Sequence, residues 1–132
     1  MKKKASPKVR VYLTEKAIRD IDEIQADSIE CFGKRAANKY ITELESAITR
    51  LSVYPDLLTV IPEFHSALHF YAAGRHIFVC ERGTKELIIL TLLRASMDIP
   101  GRLAELQPTL RAETEMLQRK LAQARKRRDR KN

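Results

Sequence analysis

Two apolar runs, Ile77-Phe78-Val79-Cys80 and Leu87-Ile88-Ile89-Leu90-Thr91-Leu92-Leu93, flank the polar segment Arg82-Gly83-Thr84-Lys85, and no other stretch constrains the fold as tightly. β-Branched and aromatic runs split by a Gly-containing turn form a hairpin. The second run is apolar at both alternating positions, which places it centrally in a sheet covered on both sides. Charged residues mark the ends of the hairpin: Arg75, His76, Arg82 and Arg94.

The rest of the sheet and its cover are read around that hairpin. Val9, Val11 and Leu13 alternate with Arg10 and Tyr12, as in a short strand with one buried face. Thr14 is a good helix N-cap with Glu15 in the first turn, and Ala17, Ile18, Ile21, Ile24 and Ser28 follow at helical spacing, giving a first helix to about Cys31. Gly33 suits the left-handed position that ends a helix. After it, Ala37, Tyr40, Ile41, Leu44, Ala47, Ile48 and Leu51 form the cleanest amphipathic stripe in the chain, stopped by Pro55. So short a connection makes an antiparallel helical hairpin, and its joined apolar face needs a sheet to cover it. Residues 54–66, with Pro55 and Pro62, read as an irregular loop. Leu68, Phe70 and Ala72 alternate with His69 and Tyr71 before the turn at Ala73-Gly74. The expected class is therefore α+β, in the order β-α-α-β-β-β, with the helical hairpin packed on a small, mainly antiparallel sheet whose last three strands form a meander.

Beyond Pro100 the pattern changes. Arg102 to Leu106 allow one or two helical turns, and Pro108 is placed to open another helix at its first position. Leu110, Thr114, Leu117, Leu121 and Ala124 make a narrow stripe that fades into a basic run, which predicts a projecting helix with a frayed end. This divides the chain into a domain over residues 1–103, with a basic tail at 1–8, and a helical extension over 104–132.

The formal net charge of +8 belongs to the two ends. Residues 1–10 carry five Lys or Arg and no acid, and residues 119–131 carry eight against Asp129 alone, so residues 11–118 are net acidic. Arg125, Lys126, Arg127 and Arg128 can touch nucleic-acid phosphates or stand as a solvated tail, and the pattern alone leaves both open. The tail has no aromatic residue on which a base could stack. No run approaches the roughly 18 apolar residues of a membrane span, and the basic N-terminus is followed by no apolar signal segment. A cytoplasmic protein is expected, with no membrane partner. Cys31 and Cys80 lack CxxC spacing and read as small buried hydrophobes. His65, His69 and His76 fall across a loop, a strand and a turn, with Glu63 as the one carboxylate nearby, which argues against a metal. No cofactor is expected.

Several pieces together resemble the ParE branch of the RelE/ParE toxin superfamily of type II toxin–antitoxin pairs. They are Val11-Tyr12-Leu13-Thr14 with Ala17, Asp20-Ile21 and Ile24; Phe32-Gly33 with Ala37 and Tyr40-Ile41; Leu51 with Pro55; Gly74-Arg75-His76-Ile77-Phe78; and Ile89-Leu90 with Ser96-Met97-Asp98-Ile99-Pro100 and Arg102-Leu103. The resemblance spans about residues 9–103. It departs at Val79-Cys80-Glu81, where the family has an aromatic-basic ending, and at Arg94, where a His is common.

The resemblance implies a toxin neutralised by a cognate antitoxin, with one of two targets. ParE-like toxins poison DNA gyrase by binding, and RelE-like toxins cut mRNA in the ribosome. Metal-free RNA cleavage needs a base, an acid and cations converging on one phosphate. Arg75, His76 and Arg94 are the candidates, with Tyr71 and His69 behind them, but Ala95-Ser96-Met97-Asp98 replaces the basic and Tyr cluster of the cutting enzymes, and Asp98 would repel phosphate. The reading is a gyrase-binding toxin using Arg75, His76, Arg82, Arg94 and Arg102, with no catalytic residue. A ribosome-dependent mRNA endonuclease, or a toxin-derived binding protein without activity, is the alternative.

Overall fold

The computed structural model describes residues 8–60 and 68–130, with side chains through Arg127. His65, Pro62 and Glu63, the lysines at positions 2–4 and the Arg128 side chain lie outside the described residues. The elements run β1 (Arg10–Leu13), α1 (Glu15–Phe32), α2 (Lys34–Val53), a single 3-10 turn (Pro55–Leu57), β2 (Leu68–Ala73), β3 (His76–Arg82), β4 (Glu86–Arg94) and α3 (Ile99–Arg130).

The four strands form one sheet in the order β1-β4-β3-β2. β4 pairs parallel with β1 and antiparallel with β3, and β3 pairs antiparallel with β2. The α+β class and the meander are thus as the sequence reads, and the intervening helices and strands supply the crossover a parallel pair needs. Residues 54–60 are less irregular than the expected loop: besides the 3-10 turn, Thr59 exchanges two 2.8 Å backbone hydrogen bonds with Phe70 on the β2 edge.

β4 is the axis of the molecule. Its register slips between Val79 and Cys80 of β3, so Thr91 faces Val79 while Ile89 faces Cys80. One extra residue inverts the alternation. As a result Leu87, Ile89 and Leu92 join Phe78 and Cys80 on one face, and Ile88, Leu90 and Leu93 join Phe70 and Val79 on the other. Each face then needs its own cover, and each has one.

The first face is covered by the helical hairpin. Thr14 Oγ1 accepts the Ala17 amide at 3.0 Å and donates to the Leu90 carbonyl at 2.8 Å, so one hydroxyl caps α1 and ties it to β4. Ala17 of α1 and Leu44, Ala47 and Leu51 of α2 are buried against Phe78, Leu87 and Ile89. β1 stops at Leu13, which leaves the far edge of β4 without a strand. There Asp20 accepts the Leu92 amide at 3.2 Å and the Thr91 hydroxyl, and Lys16 Nζ closes the group at 2.9 Å from Asp20 and 3.1 Å from Thr91. A side chain does what a fifth strand residue would do.

Gly33 joins the two helices with φ +87° and ψ 163°. This differs from the left-handed helical ending expected: ψ lies in the extended range, a region open essentially to glycine alone. Its amide still donates to the Ile29 carbonyl at 2.9 Å, and its carbonyl accepts the Ala37 amide at 3.0 Å, so one residue ends α1 and starts α2.

α3 corrects two expectations. It is one helix from Ile99, with Pro108 inside it rather than opening a second helix. It also does not project along its first half, because Leu103, Leu106 and Leu110 are buried on Phe70, Val79, Ile88, Leu90 and Leu93. The balance of magnitudes explains both. An interior proline costs about 3 kcal/mol, whereas burying each of three leucines gains about 1.5–3 kcal/mol and removes an apolar sheet face from water as well. Pro108 points to solvent, where the missing amide is most easily tolerated. Farther along, Glu113, Lys120 and Arg125 pair with Arg19, Glu15 and Glu86, and Lys120 holds the Glu15 carboxyl below the usual carboxylate range.

Candidate functional site

The turn between β2 and β3 brings the candidate residues together. Gly74 turns at φ +59°, and a Cβ there would lie 2.7 Å from Tyr40 Cε1, so this turn rests directly on the α2 ring. Arg75 follows it, His76 opens β3, and His76 faces Arg94 at the end of β4. The Ala95 amide donates to the Arg75 carbonyl at 2.9 Å, which fastens the end of β4 to the turn. The C-terminal end of α1 forms the opposite wall. The resulting cleft, about 320 Å³, is lined by Ile24, Asp27, Ser28, Cys31 and Phe32 of α1 together with Arg75, His76, Arg94 and Ser96.

Tyr40 organises the charged side. Its hydroxyl accepts the Arg75 amide at 3.0 Å and stands 2.6 Å from His76 Nδ1. Burial lowers the His76 pKa, and the Arg75 and Arg94 charges lower it further, so the ring is neutral at pH 7. The Tyr40 hydroxyl and Nδ1 share one hydrogen bond, in which either can be the donor depending on the tautomer of the ring. The Arg75 guanidinium sits 4.8 Å from the Phe32 ring centre and 5.1 Å from that of Tyr40, held between two aromatic rings. Among the described residues, neither Arg75 nor Arg94 forms an ion pair with a carboxylate.

Of the residues expected to meet a target, Arg75, His76 and Arg94 converge here and the others do not. Arg82 lies at the opposite end of β3, 2.9 Å from Asp56. Arg102 sits in the first turns of α3 and pairs with Glu105 at 3.1 Å. Arg125 is tied to Glu86 at the start of β4, while Lys126 and Arg127 are exposed. Asp98 caps α3, its carboxylate accepting the Gly101 amide at 3.4 Å, and it is not part of the cleft wall. Tyr71 accepts from Arg50 at 2.7 Å on the α2 side. Cys31 is exposed in the cleft, contrary to its expected burial, because α1 turns that face away from the sheet; Cys80 is buried, and burial pushes its thiol up to about 12.

The sequence reading placed Tyr40 in the apolar stripe of α2 and left out Phe32 and Asp27. A signal existed for Tyr40, since a phenol within an apolar stripe has a polar tip that must find a partner. No comparable signal marked Phe32 or Asp27. Among the described residues, no group of three His, Cys, Asp or Glu side chains could hold a metal ion, and no helix is long and apolar enough to cross a membrane.

Residues 11–99 match the model of the ParE toxin of the type II toxin–antitoxin system parDE. The chain belongs to this ParE toxin family. Its fold is similar to that of a chromosomal ParDE toxin–antitoxin system from P. aeruginosa, at 19% identity and a TM-score of 0.59, covering 67% of this chain and 98% of that one. It is also similar to the RelBE2 toxin–antitoxin complex from Mycobacterium tuberculosis, at 14% identity and a TM-score of 0.50, covering 74% and 100%. No curated protein matches the chain. α3 lies beyond the family match for all but its first residue.

Proposed function

We propose that the protein is a cytoplasmic toxin that inhibits DNA gyrase by direct binding and is neutralised by a cognate antitoxin. Family membership supports the class of protein, and the lining of the cleft supports binding over cleavage. Metal-free cleavage needs a base and an acid placed beside the cations, and the one imidazole of the cleft already has its Nδ1 engaged by the Tyr40 hydroxyl. Arg75, His76 and Arg94 then form the target-facing surface. Lys126 and Arg127, with Arg128 beyond them, add sequence-blind attraction to DNA held by gyrase. On α1, Ile18 and Ile29 leave apolar surface exposed that suits the amphipathic helix of an antitoxin.

Supercoiling by purified gyrase tests this directly. The protein should lower supercoiling or accumulate cleaved DNA, and Arg94→Gln should weaken the effect. Undiminished supercoiling at saturating protein overturns the reading. A second reading, a ribosome-dependent mRNA endonuclease, is favoured by one observation: an imidazole and two guanidiniums line one cleft, with the Tyr40 phenol bonded to the imidazole from behind. It requires cut transcripts in a translating extract that disappear in His76→Ala.

A further inference from the structure

We infer that the cleft between α1, the Gly74-Arg75 turn and the end of β4 binds one nucleotide unit, its phosphate held by Arg75 and Arg94 and its base laid against Phe32. This deepens the proposed function, since it rests on that same cleft facing the target, and it names the chemistry recognised there.

The first support is two cations on one cleft with no carboxylate to neutralise them. Among the described residues, neither Arg75 nor Arg94 forms an ion pair, and both line the cleft. Arg75 is nevertheless ordered, because two rings hold its guanidinium plane. A cation fixed by aromatic stacking keeps its N–H edge for an anion and has little conformational freedom left to lose on binding.

The second is the number and kind of donors. Two guanidiniums and the His76 imidazole offer three separate polar groups from the turn, β3 and β4. A phosphate monoester presents three acceptor oxygens in a tetrahedral array, while a carboxylate presents two in a plane. Asp27 on the facing wall restricts the charge that fits. It would repel a second phosphate, so the cleft suits a monophosphate rather than a polyphosphate.

The third is Phe32. It is the most exposed large apolar residue described, at 57%, and it stands on the wall facing the cations. An exposed aromatic beside a phosphate-holding arginine is the pairing that binds a nucleotide irrespective of its base, through stacking. The cleft volume of about 320 Å³ is at the low end for small-ligand sites, in keeping with one unit rather than a long strand.

The test is an NMR titration of the full chain with 5′-AMP, adenosine and inorganic phosphate, following the His76 ring and the Phe32 ring. 5′-AMP should give saturable shifts at both rings, phosphate a weaker response confined to His76, and adenosine none. Arg94→Gln, an exposed position, should weaken 5′-AMP at least about tenfold, the size of one charge-assisted hydrogen bond. Phe32→Ala should lower the affinity for 5′-AMP much more than that for phosphate, since Arg75 loses only one of the two rings that steady it; Arg75→Gln serves as a second cationic variant. Equal affinity for 5′-AMP and phosphate removes the base platform and overturns the nucleotide assignment. So does the absence of any saturable shift, or tighter binding by an acidic peptide of Glu and Leu, which would give the cleft to a protein partner. Gyrase inhibition is read in a separate assay, so an inhibitory protein that ignores 5′-AMP sinks this inference alone.

Discussion

The Tyr40 hydroxyl on α2 bridges the backbone amide of Arg75, at 3.0 Å, and Nδ1 of His76, at 2.6 Å. One phenol therefore sets the path of the β2–β3 turn, engages the imidazole and, through its ring face, sets the position of the Arg75 guanidinium. The helical hairpin and the sheet meet functionally at this residue. It positions the cleft without lining it.

Removing only the hydroxyl isolates that role. Tyr40→Phe keeps the ring under Gly74 and over Arg75 but leaves the Arg75 amide and His76 Nδ1 without their partner. The expected loss is about 1–2 kcal/mol, that of partly buried groups losing hydrogen bonds. It would be read as a lower denaturant midpoint at unchanged slope. The variant should also change the tautomer balance of the His76 ring, visible in its nitrogen chemical shifts. An unchanged ring signal would mean that Tyr40 does not set the proton.

Much of this fold was legible because periodicity reports burial. The double-sided run Leu87–Leu93 did prove central and covered on both faces, and the α2 stripe marked its buried side. What periodicity does not report is what a side chain touches across the fold. Tyr40 had the spacing of a core residue, and only the three-dimensional approach of the β2–β3 turn gave its hydroxyl two partners. Pro108 misled for a related reason. A local preference read as a helix start was outweighed by an apolar sheet face that no local pattern connects to α3. Arg82 and Arg102 carried the same sequence signal as Arg75 and Arg94, a cation near a strand end or turn. Their partners Asp56 and Glu105 neutralise them, and only the structure separates the two pairs.

The pH dependence of stability follows from His76. Burial, then Arg75, then Arg94 hold its pKa below the ordinary 6.5. In the unfolded chain the ring takes up its proton as pH falls through 6.5, while the folded ring does not, so the unfolded state binds more protons and stability drops with falling pH. The drop starts near 6.5 and ends only where the folded His76 itself protonates. Chemical denaturation at pH 7.5 and 5.5 should show a larger loss for the natural chain than for His76→Gln. Equal losses would assign the effect to other groups.

The two thiols should separate cleanly. Cys31 is exposed in the cleft, while Cys80 is buried, with its pKa pushed up to about 12. A thiolate-selective disulfide reagent at pH 8 should titrate one thiol in the native protein and two in denaturant. Occupancy of the cleft should slow the native reaction. Two fast thiols in the native state would mean that β3 opens easily.

The last prediction concerns α3, which extends past the family match and yet is sewn onto the sheet. Leu110 is 6% exposed and contacts the face built by Phe70, Val79, Ile88, Leu90 and Leu93, whereas Met116, two turns on, is 40% exposed. If α3 is part of the folded body, Leu110→Ala should cost about 2–4 kcal/mol, as buried leucines do, and Met116→Ala no more than about 0.5 kcal/mol. Pro108→Ala should act in the opposite direction, because it restores an interior amide without touching the buried side. A loosely attached helix would predict small changes in all three. An order of midpoints with Pro108→Ala above the natural chain and Leu110→Ala far below it therefore distinguishes a structural third layer from an appendage. It also decides whether the sheet face beneath α3 is available to a partner, since a helix held by several kilocalories of burial would not yield that face without a competitor of equal apolar surface.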